Sequence, residues 1–397
     1  MTIHTPVPAG NERFDANLVR RLAGQMLPGV DFDRVIELGR SDDAGEGIFD
    51  MTAFCLRNTR AHNGVSLLHG ETAKNTWAGV SRQPIAGLTN GVHMPSWVGR
   101  SLQLAFEEHG CDFDDMNGPG ATRLWEQMGE VSDEKLWKAH LRQKAALGHF
   151  ARGRLRSQLS RHGQPPEVLG ALQGALDPNT LTLGFARRFA TYKRAALLFR
   201  DEDRLARLMW DEERPVQIVF AGKAHPADRP GQAMIQKIFE MSRSERFKGR
   251  VFILEDYDMR IGRFMTQGVD VWLNNTRRPL EASGTSGMKA AANGIPNCSI
   301  LDGWWDEGFH NDNGWAIGGR DQHGSDEEQD HHDAESLYAV LEDGIVPEYY
   351  ERENGLPTRW IARMRAAIGS SLWQFSTARM VQEYTKRMYT PAARNRS

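Results

Sequence analysis

The feature that most constrains the fold is an alternation that starts near Asp177-Pro178-Asn179 and continues to about residue 317. Apolar runs at 180–185, 216–221, 251–254, 271–273, 298–301 and 315–317 are separated by longer stretches. Helical segments are expected among these at 192–210, 231–243 and 289–293. Runs this short, set between turn residues, read as strands rather than buried helices. Parallel neighbours need a crossover connection, and a helix is the usual one. The expected class is therefore α/β, with one doubly wound parallel sheet. Ligands of such sheets sit beyond the carboxyl ends of the strands. The segments that follow the strands are where chemistry is expected.

Residues 1–170 lack this rhythm. Segments 15–26 and 131–162 carry a helical period with charged outer faces. Segments 61–70 and 87–97, rich in Gly, Asn and His, read as loops. Beyond the alternation, 325–333 (SDEEQDHHD) reads as a solvated polar loop, because its spacing matches no hard-metal cradle. Helices are expected at 334–342 and 358–388, and the basic tail ending in Ser397 is expected to fray. This divides the chain into 1–170, mainly helix and loop; 171–335, Rossmann-like; and 336–397, helices that pack back across the rest.

The bulk properties exclude several classes. A net charge of -3 over 397 residues leaves no basic footprint for nucleic acid or an anionic membrane. Cys55, Cys111 and Cys298 are odd in number and far apart, which argues against a disulfide framework or a zinc site. No leader pattern is visible, and no apolar run approaches the roughly 20 residues that span a bilayer. A cytoplasmic protein is expected.

Two segments carry the strongest chemical signal. Phe185-Ala-Arg-Arg-Phe-Ala-Thr-Tyr-Lys-Arg194 follows a strand and holds four cations, Arg187, Arg188, Lys193 and Arg194. With a helix N-terminus behind them they would form a phosphate site; a solvated basic face fits the composition equally. Glu281-Ala-Ser-Gly-Thr-Ser-Gly-Met-Lys289 follows another strand. Its small residues let backbone N–H groups approach an anion, and its spacing is neither that of a Walker loop nor the dinucleotide fingerprint. Lys289 is then expected in the first turn of a short helix. A desolvated lysine there can attack an aldehyde; an exposed lysine after a flexible turn is the other reading. The loops holding His69 and Asn90 are weaker candidates, and a lone histidine is more often a satisfied core residue. The tryptophan-rich 302–310 segment suits either stacking on a sugar ring or packing between sheet and helix.

Together EASGTSGMK, RRFATYKR, NGVSLLHGE, LTNGVHMPSW, AGKAHP and LEDY resemble the glycogen/starch/maltodextrin phosphorylase family in its shorter bacterial and archaeal branch. The resemblance implies a GT-B fold, of which this chain would hold the Rossmann-like C-terminal domain and a mainly helical remnant of the N-terminal domain. It implies pyridoxal 5'-phosphate on Lys289, with Thr285, Gly284, Tyr257 and Arg187 also at the cofactor. Arg188 and Lys193 would bind inorganic phosphate. Glu281, Ser283, Gly284, Tyr192, Asn90, His69 and His4 would meet the α-1,4-glucan. The activity implied is phosphorolysis of terminal α-1,4-linked glucose to α-glucose 1-phosphate, with the cofactor 5'-phosphate as proton relay and no metal. Relative to animal members, Ala190 replaces a histidine and Asp258 an arginine near the cofactor phosphate, for which Arg260 would substitute. Much of the family's N-terminal half is expected to be missing, and a homo-oligomer is compatible with the resemblance. A non-catalytic glucan-binding fragment and a nucleotide-sugar glycosyltransferase are the competing readings.

Overall fold

In the computed structural model, described over residues 1–110, 128–321 and 323–394, the first segment contains two small strand pairs. The pair β1 (Arg13–Asp15) and β2 (Ile48–Asp50) is antiparallel, whereas β3 (His62–Gly64) and β4 (Ile85–Gly87) are parallel. Helix α1 (Leu67–Thr76) begins where the sequence suggests a loop, because Ser66 caps it by accepting from the His69 N–H at 3.0 Å. The glycines of this region permit close packing. A Cβ on Gly70 would lie 2.6 Å from the Gly87 nitrogen, and one on Gly64 would lie 2.8 Å from the Gly70 nitrogen. Gly70→Ala should therefore destabilise the protein by about 1–3 kcal/mol, since backbone cannot yield as a side-chain tip can. The midpoint of urea unfolding measures this.

Helix α2 (Asp133–Arg161) follows, capped by Ser132, and one face of it is buried. The central sheet comprises β5 (Leu181–Ala186), β6 (Val216–Ala221), β7 (Val251–Leu254), β8 (Val271–Asn274), β9 (Asn297–Ile300) and β10 (Gly314–Ile317). Its order is β10-β9-β8-β5-β6-β7, and every pairing is parallel. The five strands other than β10 are buried residue by residue, as both faces of a parallel sheet covered by helices require. The chain runs outward from β5 through β6 to β7, returns to β8 on the other side of β5, and runs outward again. A topological switch point therefore lies between β5 and β8. Among the covering helices are α3 (Glu202–Met209), α4 (Arg229–Arg243), α5 (Met259–Gly268) and α6 (Thr285–Ala291).

Several expectations need correction. The helix expected over 192–210 is broken into two three-residue turns, Thr191–Lys193 and Leu197–Phe199, before α3. The break is at Arg194, which has a left-handed φ of 44°. Its buried guanidinium donates to the carbonyls of Asn275 and Thr276 and pairs with Asp330 and Asp333. Those contacts cost the helix its continuity, so no long helix N-terminus stands behind the cation segment. The acidic segment expected as a loop is the start of α7 (Asp326–Ala339), capped by Ser325, with three acidic residues in its first turn. Carboxylates there favour the positive end of the helix dipole. The helix expected at 358–388 is two helices, α8 (Thr358–Leu372) and α9 (Thr377–Tyr384), separated at a turn that Ser376 caps. Trp304 and Trp305 are each 1% exposed within the largest core cluster, so the tryptophan-rich segment packs rather than facing a sugar. Cys55 and Cys298 are free thiols; Cys111 lies outside the described residues, as does Ser397. Among the described residues no cluster suited to a metal occurs, and no helix is long and apolar enough to cross a membrane.

Candidate functional site

The loops that leave β5 and β8 flank the switch point and enclose a cleft of about 360 Å³. Arg187, Arg188 and Lys193 enter it from the β5 side, and Glu281, Ser283, Gly284, Thr285 and Lys289 from the β8 side. Tyr257, just beyond β7, completes one wall, and His4 and Asn90 from the first segment complete the other. Some of the residues singled out in the sequence do not line the cleft. His69 is buried in α1, and Tyr192 turns its ring under the Lys193 ammonium, 4.9 Å from the ring centroid. Arg260 does not line it either, since its guanidinium lies 5.2 Å over the Phe150 ring. Asp258 instead caps α5 by accepting from the Ile261 N–H.

Glu281 is the electrostatic centre of the β8 loop. One of its carboxylate oxygens accepts from Lys193 at 2.6 Å and also from Arg187. Burial pushes the Glu281 carboxyl up, but Arg187 and Lys193 outweigh it and hold the group below the usual carboxylate range. For Lys193 the balance goes the other way. Burial, reinforced by the Arg187 charge, lowers its pKa to about 8 despite Glu281. One arm of the Arg187 guanidinium and the Ser283 hydroxyl are buried with no hydrogen-bond partner. Buried polar atoms without partners are rare, and beside a cleft they are groups prepared for a ligand.

Asp302 holds this loop in place. One carboxylate oxygen accepts from the Glu281 N–H at 2.9 Å and the Thr276 hydroxyl at 3.1 Å, and the other from the Gly303 N–H at 2.8 Å. Burial raises its pKa to about 7. Gly284 has a φ of 80°, a left-handed conformation suited to glycine, and it opens α6. The helix starts at Thr285, so Lys289 falls in its last turn and not its first. The ammonium of Lys289 lies 3.6 Å from the centroid of the Trp97 ring. Burial alone brings its pKa down to about 8. Asn293 ties the two together by donating to the carbonyls of Lys289 and Trp97.

The first segment is locked onto the same loops. The Ser66 hydroxyl donates to the Ala282 carbonyl at 2.8 Å. Glu307 accepts from the Leu67 N–H and the Thr89 hydroxyl, and Arg379 in α9 donates to the carbonyls of Thr89 and Asn90. His69 Nδ1 accepts from the Val65 N–H at 3.2 Å, which leaves Nε2 as the protonated nitrogen, buried and without a partner. Burial, and then the nearby His4, lowers its pKa to about 4, so His69 stays neutral near pH 7. Trp97, Asp302, Glu307 and Arg379 were not singled out from the sequence. Each acts through a partner far away in the chain, and no local spacing announces such a role.

The geometry thus offers one partly desolvated amine, a cluster of cations around one carboxylate, and small-residue backbone at a helix start. No protein-family model matches the chain. Among curated proteins, the maltodextrin phosphorylase of Thermococcus litoralis is 40% identical over 99% of this chain and 46% of its own length. The glycogen phosphorylase of Aquifex aeolicus is 41% identical over 98% of this chain and 56% of its own length. That of Mycobacterium tuberculosis is 40% identical over 99% and 47%. The chain spans about half the length of the curated relatives it matches. Identity at this level, sustained from end to end of the chain, makes it similar to about half of each of these glycogen and maltodextrin phosphorylases.

Proposed function

We propose that this chain forms the cofactor- and phosphate-binding part of an α-1,4-glucan phosphorylase, an enzyme that transfers a terminal glucose to inorganic phosphate and releases α-glucose 1-phosphate. The observation that carries the reading is the convergence of Lys289, Glu281, Arg187, Arg188 and Lys193 on one cleft at the switch point of the sheet. We assign the architecture to the GT-B type. In that assignment 171–335 is the Rossmann-like domain, 1–170 belongs to the other domain, and 336–397 packs back across both. The bonds from Arg379 and Glu307 to residues 67–90 support that division.

The residues fit pyridoxal 5'-phosphate. Lys289 offers an amine with its pKa lowered to about 8, ready to attach an aldehyde. The Gly284–Thr285 backbone at the start of α6, the Ser283 hydroxyl and the free arm of Arg187 are donors for phosphate oxygens. Tyr257 bounds the space for the ring, and Trp97 lies against the Lys289 ammonium. When bound, the cofactor supplies a second phosphate, whose pKa of about 6 suits proton exchange with the substrate phosphate near neutral pH.

The chain's own residues do the remaining work. Arg188 is exposed at the mouth, where its planar fork matches a phosphate. Lys193 is buried, and an incoming phosphate dianion favours its charged form, so binding strengthens the very interaction that holds the anion. Two neighbouring phosphates repel, and Arg187, Arg188 and Lys193 compensate that charge. Glu281 presents an ionised carboxylate to sugar hydroxyls, and its own two cations keep it oriented. Asn90 and His4 add polar groups on the glucan side.

The test is release of glucose 1-phosphate from maltodextrin and inorganic phosphate. The chain is loaded with pyridoxal phosphate and mixed with a separately made polypeptide covering the part of the Aquifex relative that it does not span. Phosphate-dependent release is expected, and Lys193→Gln should lower it about 100-fold or more. A mixture that turns over a nucleoside-diphosphate sugar and ignores phosphate would overturn the reading.

A further inference from the structure

A second cavity, of about 600 Å³, lies on the outer edge of the sheet beside β7. It lies between the C-terminal ends of α2 and α4, under the short helix Pro166–Ala171. Leu155, Leu159, Val168, Leu172, Phe239 and Phe252 form apolar walls. A volume of this size, mostly apolar with a few polar groups, is that of a small-molecule site, typically about 300–1,000 Å³. The polar groups are unevenly charged. Arg243 and Lys248 both line the cavity, with Glu167 as the single carboxylate. Both cations are exposed at the rim, and among the described residues neither makes an ion pair. Arg243 makes a 3.3 Å hydrogen bond to the Gln164 side chain and lies over the Phe239 ring. Gly174 and Gly249 also line the space, and a Cβ on either would meet nothing within 4 Å. Gln158 connects this groove to the candidate active cleft. It lines the groove, donates to the Ile253 carbonyl and accepts from the Glu255 N–H, two residues before Tyr257.

We infer that this groove is a second ligand site, for a small amphipathic anion with a flat or extended apolar body. The apolar part lies against Leu155 and Phe252, and its anionic end is held by Arg243 and Lys248. Charge complementarity selects an anion over a neutral or cationic apolar molecule. The assignment is independent of the phosphorolysis reading, because none of these residues lines the other cleft.

The experiment uses the full chain and anilinonaphthalene sulfonate, a fluorescent amphipathic anion. One saturable site is expected. Arg243→Gln with Lys248→Gln should weaken it at least about tenfold, since each removes a charge-assisted contact. Ala171→Trp, which fills the groove from its exposed side, should abolish it. A control pair, Leu22→Asp with Met26→Lys, removes the exposed apolar face of the helix Ala16–Met26 and should leave binding unchanged. Binding that survives Ala171→Trp and the double charge variant, or that disappears only with the control pair, overturns the assignment. So does the absence of any saturable site. The charge variants change only exposed side chains, so a folding failure of Ala171→Trp would not hide the answer.

Discussion

Lys289→Ala, mixed with pyridoxal phosphate and treated with borohydride, should yield no adduct by mass spectrometry, whereas the unchanged chain should be labelled once, on Lys289. The pH dependence carries more information than the end point. Only the neutral amine attacks an aldehyde. Its pKa is lowered to about 8 because burial disfavours the charged ammonium. The labelling rate should therefore rise about tenfold per pH unit below 8 and level off above it, where an exposed lysine would keep rising to about 10.4. Trp97 contacts the ammonium and covers it, and Asn293 holds the two in register. Trp97→Ala should consequently move the inflection upward. A rate that keeps rising past pH 10 in the unchanged chain would show that Lys289 is not desolvated and would remove the physical basis of the cofactor assignment.

The second large effect lies at the opposite end of the sheet. Asp270 is fully buried where β8 begins. It accepts from His140 at 2.7 Å, from Lys144 at 2.5 Å and from the Thr182 N–H at 2.7 Å. Lys144 is itself buried and also donates to the Thr180 carbonyl and the Tyr349 hydroxyl. Burial pushes the Asp270 carboxyl up, but Lys144 and His140 outweigh it and hold it below its usual value. Asp270→Asn removes the charge and strands Lys144, at a cost of about 3–5 kcal/mol. Urea unfolding followed by circular dichroism should show the loss as a lower midpoint with an unchanged slope. For the unchanged protein the sign follows from the depressed carboxyl. The stabilisation is present above the unfolded pKa near 3.9 and is lost as pH falls through the lower folded value. A loss below about 1 kcal/mol would mean that Lys144 finds water or another partner when Asp270 is neutralised.

The sequence was most legible where a single period decides the outcome. Val216–Ala221 and Val251–Leu254 are strands with the expected bounds. The runs at 271–273 and 315–317 each gain one residue at one end, and those at 180–185 and 298–301 are shifted by one residue at both ends. Strands buried on both faces need continuous apolar runs, and no distant residue can replace that requirement. The reading was poorer where a distant partner decides. Arg194 lies in a segment with good helix formers on both sides, yet two carbonyls beyond β8 and two carboxylates on α7 draw it into a left-handed turn. His69 reads as a loop residue, but Ser66 and the interlocking glycines place it in a helix.

The same division applies to the site. By itself the sequence determined the sheet class, the loops that bear Lys193 and Lys289, and the likeness of those loops to one family. Those properties live in adjacent residues, where small side chains, cations and a lysine are visible as a string. Tertiary structure alone decided that the β5 and β8 loops face each other across a switch point, because strand order depends on packing between distant segments. It alone placed Arg187 and Lys193 on one oxygen of Glu281, set Asp302 beneath that loop, and put the Trp97 ring against the Lys289 ammonium. Charge state follows from burial and neighbouring charge, and both are properties of the folded chain rather than of its order of residues.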